Sequence, residues 1–196
     1  MEDKHDDIKM LYVLYKPIKE GLKPVADIYK SHLIDQGRNL VESCATQSEG
    51  KDLSLKEMLT NSNIVERILS LLTHNSRVIK NCFDSDTQFL RQLQLAFQVF
   101  TNLDIGKFSM AEFLAAYVDK LLRKGGSISL TASMEETIES VVTVFSHLTD
   151  KDLFLEVYRN QLARRLLQEK CEDLEHEKLL ISNLKITCGL QQINKI

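Results

Sequence analysis

The chain has 196 residues, 43% of them hydrophobic and 27% charged, with seven glycines, two prolines and no tryptophan. That composition suits a soluble globular protein that buries a core without disulfides or metals. Twenty-five basic residues against 28 acidic ones give a net charge of −3, which argues against general nucleic-acid binding, since that draws on a basic stripe.

No apolar run approaches the ~20 residues of a membrane span. The acidic, polar start Met1-Glu2-Asp3-Lys4-His5-Asp6-Asp7 lacks the positive, apolar pattern of a secretory signal. A cytoplasmic and/or nuclear protein is expected. Cys44, Cys82, Cys171 and Cys188 are widely spaced within helical patterns and suit reduced thiols.

In chain order, Ile8, Leu11, Tyr12, Tyr15 and Ile18 recur at helical spacing and predict a first helix capped by Asp6-Asp7. Gly21 loosens the chain, and Pro24 fits the first turn of a second helix, where a missing N–H costs nothing. Its stripe, from Val25, Ile28 and Tyr29 to Leu40 and Val41, runs to about Cys44. The polar segment from Thr46 to Asp52 reads as a loop. Ser54-Leu55-Lys56-Glu57 has capping-box spacing and predicts a short helical turn. A long helix follows over Ile64, Ile68, Leu72, Ile79 and Cys82. Asp84-Ser85-Asp86 breaks and recaps the chain before the stripe Phe89, Leu93, Ala96, Phe97 and Phe100.

Two more capping boxes, at Ser109–Glu112 and Ser133–Glu136, open helices carrying Phe113 to Leu122 and Ile138 to Leu148. Gly125-Gly126 is expected to stop the first of these after a basic last turn. Asp150 is predicted to cap an amphipathic helix through Leu167, and Asp173 to Cys188 supplies the last. The tail after Gly189 carries no clear periodicity. The sum is about eight helices with no βαβ rhythm and no clear short repeat.

Chemistry is sparse. Cys82 and Cys188 fall on or beside apolar stripes. Cys171 lies among Glu169, Glu172 and Asp173, acids that would raise its pKa and blunt it as a nucleophile. His176 beside Cys171 is the one close His/Cys pair, far short of a zinc ligand set. The paired acids Glu135-Glu136 and Glu172-Asp173 sit at predicted helix starts, where the dipole favours them. Gly125-Gly126 has neither the strand before it nor the Lys-Ser/Thr after it that a phosphate loop needs. No catalytic residue, metal site or cofactor is expected. The basic cluster Arg159, Arg164 and Arg165, with Lys151 upstream, is either a solvated face or a grip for an acidic partner.

Several blocks, in order, resemble the cullins, the scaffolds of multisubunit ubiquitin ligases. They include Gly21-Leu22-Lys23-Pro24-Val25-Ala26-Asp27-Ile28-Tyr29, Glu112-Phe113-Leu114-Ala115-Ala116-Tyr117 and Lys120-Leu121-Leu122-Arg123-Lys124-Gly125-Gly126. Asp150-Lys151-Asp152-Leu153-Phe154, Leu162-Ala163-Arg164-Arg165-Leu166 and Ile181-Ser182-Asn183-Leu184-Lys185 with Cys188-Gly189 are the strongest matches. The wording is most similar to a plant-type cullin of the SCF class.

The resemblance implies an all-α fold: a third cullin repeat with its following helix over residues 1–126, then part of a four-helix bundle over 127–196. It implies a non-enzymatic scaffold in ubiquitin-dependent protein catabolism. In the family, an adaptor binds the N-terminal end of a helical stalk. A RING protein at the other end recruits the ubiquitin-conjugating enzyme (E2), and a lysine near the C-terminus takes a ubiquitin-like modifier. The matched stretch lies between those ends, so no neddylation lysine is expected in it. Arg164 and Arg165 match the helix of a basic groove for the acidic tail of the E2, with Arg159 alongside. An alternative is a truncated paralogue that sequesters cullin partners such as the exchange factor, or a remnant without function. An incomplete bundle would leave Leu153, Phe154, Val157, Leu180, Ile181 and Leu184 short of cover, and self-association is expected from that.

Overall fold

The computed structural model describes residues 3–48, 53–125 and 133–188. Among them the chain forms nine helices and no strand. They are α1 (Asp3–Tyr15), α2 (Leu22–Ser48), α3 (Leu55–Ser62), α4 (Ile64–Cys82), α5 (Thr87–Phe100), α6 (Met110–Leu122), α7 (Met134–His147), α8 (Lys151–Leu167) and α9 (Leu174–Cys188). The all-α expectation holds, with the short turn at Ser54 forming a helix in its own right.

Local chemistry sets most boundaries. Ser54 and Ser109 each accept from the backbone N–H three residues on, and Glu57 and Glu112 accept in return from the cap N–H. Ser133 caps α7 through the Glu136 N–H, without a return bond from Glu136 among the contacts described. Asn63, at φ 46° and ψ 31°, ends α3 and starts α4 in one left-handed residue, a conformation its short polar side chain tolerates. Asp84 and Ser85 follow α4 at positive φ, and Asp86 caps α5 through the Gln88 N–H.

Several boundaries differ from the sequence reading; α1, for one, ends at Tyr15 and leaves Ile18 in the turn that follows. Asp6 and Asp7 lie inside α1, which starts at Asp3. Helix α2 runs past Cys44 to Ser48, so Thr46 to Ser48 extend the helix; the rest of the expected loop, residues 49–52, lies outside the described residues. Asp150 stands at the N-cap of α8 but makes no capping bond, its backbone sitting at φ −89° and ψ 60°. Helix α6 stops at Leu122, where Arg123 turns extended. That residue bridges to Cys171, flanked by Lys124 N–H to Lys170 O and Glu172 N–H to Leu122 O. Gly125 beyond it takes φ +73°, and Gly126 and the chain after Cys188 lie outside the described residues.

The helices pack into one continuous core. Helix α2, about 40 Å long at 1.5 Å per residue, lies along α5; α6 lies on α8, α7 on α9 and α1 on α4. The α2–α5 crossing depends on Gly37, since a Cβ there would fall into the Phe100 ring. Phe83 and Phe89 stack at 3.8 Å, and Tyr12 and Tyr29 meet them edge-on. Four elements (α1, α2, α5 and the end of α4) are tied at that cluster. Burial pushes the Tyr29 phenol well up; its O–H donates to Asn75 Oδ1.

Candidate partner-binding surface

Helix α8 carries the predicted basic residues. Its inward positions, Phe154, Leu155, Tyr158, Leu162 and Arg165, are buried. Phe154 packs on Phe145 at 4.8 Å and lies parallel to Tyr158 at 6.1 Å. Arg165 belongs to this inward phase, seven residues after Tyr158 and three after Leu162.

Its guanidinium is fully buried at 1% exposure. It is held by carboxylates from two other helices. Nη1 donates to Asp119 Oδ1 of α6 at 2.7 Å, and Nε donates to Glu177 Oε1 of α9 at 2.8 Å. Nη2 also lies 2.7 Å from Glu177 Oε1, off the line of a hydrogen bond. The other Glu177 oxygen accepts from Tyr158 Oη at 2.8 Å. Asp119 is shared with Arg123, whose Nη2 donates to its Oδ2 at 2.6 Å. Two carboxylates thus meet two guanidiniums and the cluster is neutral, the condition under which buried charge is tolerated. Burial works against the Arg165 charge, but Glu177 and Asp119 more than offset it and hold the group above its ordinary value. Burial, and then the Glu177 carboxylate, push the Tyr158 phenol well up.

This corrects the sequence reading at Arg165. It was expected beside Arg164 and Arg159 on a basic groove; it is the internal clasp joining α6, α8 and α9. Arg164 and Arg159 are exposed, and Lys151 is half-buried at the start of α8. The structure therefore brings Arg164 and Arg159 to the surface and withdraws Arg165 from it. Leu166 and Leu167, 46% and 86% exposed, continue the outer surface past Arg164. Sequence reasoning missed Asp119 and Glu177 as partners of the cluster. Helical phase could have found Glu177, which shares a face with Leu180 and Leu184.

The other candidates resolve locally. None of the four cysteines is bridged. Cys171 Sγ lies 3.6 Å from the Asp173 carbonyl oxygen and 3.8 Å from Glu177 Oε1. Burial, and then the Glu177 charge, raise its pKa. His176 sits 3.6 Å from Asp173 and 3.8 Å from Glu135. Among the described residues no group of three or more acidic, His or Cys side chains is placed to hold a metal, and no helix is long and apolar enough to cross a membrane.

The faces expected to lack cover are covered. Phe154, Leu180 and Leu184 are buried, and Leu153, Val157 and Ile181 pack partly buried against the core. Helix α7 lies on α9 and α6 lies on α8, which closes the surface that the sequence reading left open.

A family model described as the cullin alpha solenoid domain matches residues 1–196. Among curated proteins the chain is 38% identical over 198 residues to "Cullin-1" of Oryza sativa subsp. japonica, covering 100% of this chain and 27% of that protein. It is 35% identical to "Cullin-2" of Arabidopsis thaliana over 198 residues, with the same coverage. It is 36% identical over 171 residues to "Putative cullin-like protein 1" of Arabidopsis thaliana, covering 86% of this chain and 23% of that one. The chain thus spans about a quarter of the length of the curated relatives it matches.

Proposed function

Because the chain belongs to the cullin family, we propose that it is a non-catalytic scaffold component of a multisubunit ubiquitin ligase, acting in ubiquitin-dependent protein breakdown in the cytoplasm or nucleus. The single observation that carries this reading is the match over the whole chain, 1–196. The structure supports the mechanical side of it. A scaffold contributes by fixing the gap between bound partners, which raises their effective concentration. On this reading residues 1–126 form the repeat-derived unit and 127–196 the start of a second bundle. The Arg165 clasp then holds α6 of the first to α8 and α9 of the second, stiffening the junction a stalk needs.

The partners proposed are a RING protein, a cullin exchange factor and the acidic tail of the E2. Arg164, exposed near the end of α8 with a basic last turn, is the residue best placed for the last of these; Arg159 stands on the same helix. A charge of this kind at an interface rim acts mostly on association rate and salt dependence.

The test is affinity capture of the tagged chain from its own cell type, with mass spectrometry of what accompanies it. Recovery of a RING protein, a substrate adaptor or the exchange factor supports the reading and says which end of the scaffold is engaged. Recovery of none of them, with the chain folded and abundant, overturns it. An Arg164→Glu variant that still folds and captures the E2 undiminished would remove Arg164 from the proposed contact.

A further inference from the structure

We draw no further inference here: the strongest candidate, the apolar cleft between α1, α2 and α4 walled by Ile8, Val25, Tyr29, Val78 and Phe83, carries none because nothing in the structure shows what covers it.

Discussion

Replacing Arg165 with methionine removes a buried cation that faces two carboxylates. The side chain is 1% exposed and makes contacts of 2.7 and 2.8 Å to Asp119 and Glu177. Methionine keeps most of the volume, so the loss is electrostatic rather than a cavity. Breaking a buried ion pair from one side costs roughly 3–5 kcal/mol, because the remaining charge is stranded. Two carboxylates are affected here, but each keeps one partner. Asp119 retains Arg123 at 2.6 Å and Glu177 retains the Tyr158 hydroxyl at 2.8 Å, which holds the cost within that range. For a chain of this length, 3–5 kcal/mol corresponds to a fall of roughly 6–20 °C in Tm. The assay is a thermal melt and a urea melt followed by circular dichroism at neutral pH. Arg164→Met is the control; it is exposed and should change stability by no more than about 0.5 kcal/mol. The triple variant R165M/D119N/E177Q should recover most of the loss, because no full charge then lies buried. A fall of less than about 1 kcal/mol in R165M, or equal effects at 164 and 165, would refute the claim that the guanidinium neutralises a buried acidic cluster.

Three further outcomes are expected. His147 is buried; its burial, and then the nearby Lys151 charge, lower its pKa from 6.5. The unfolded chain then takes up a proton before the folded one does, so this group's contribution is full above pH 6.5 and declines as pH falls toward the lowered folded value. His147→Gln should flatten that part of the stability profile measured by urea melts from about pH 7.5 to 5, and an unchanged slope would count against it. Gly37→Ala should destabilise by roughly 1–2 kcal/mol, since overpacking against Phe100 outweighs the gain of about 1 kcal/mol in helix propensity; a more stable variant would show that the α2–α5 crossing has room. Asn102→Ala removes bonds to the Thr149 N–H at 2.7 Å and the His147 carbonyl at 3.0 Å. A loss of about 1–3 kcal/mol is expected, with hydrogen exchange at the Thr149 amide accelerated; exchange at that amide equal to wild type would refute the bridge.

What could be read in the sequence was what local chemistry decides. The Ser54–Glu57 and Ser109–Glu112 boxes close as their spacing says, because the partners lie three residues apart and need nothing from the rest of the fold. Helical stripes such as Phe89, Leu93, Ala96 and Phe97 are buried as expected. What failed depends on distance or on phase. Asp150 looks like a cap, but the tight turn from α7, with Lys151 N–H bonded to Thr149 O, fixes its backbone away from capping geometry. Asn102 gives no local sign that it joins a loop to a corner 45 and 47 residues away. Arg164 and Arg165 are the same residue type side by side, and the 100° between them decides which meets water. Counting positives along the chain merges them; tracing the face of Phe154, Tyr158 and Leu162 separates them.

The clasp also orders events in time. Its three helices are made in the sequence α6, α8, α9, and Arg165 lies 46 residues after Asp119 and 12 before Glu177. When α8 first meets α6 on a growing chain, the Arg165 guanidinium meets an Asp119 carboxylate that Arg123 already balances from its own helix, so the site holds one surplus positive charge. Glu177 arrives within a second or two at about 5–20 residues per second, and brings the second acid to a site that already holds its countercharge. At no stage of synthesis in this order must an acidic pair be buried without a cation in place. Joining the helices in another order, as in a circular permutant opened between α8 and α9, would put Glu177 beside Asp119 before Arg165 exists to separate them.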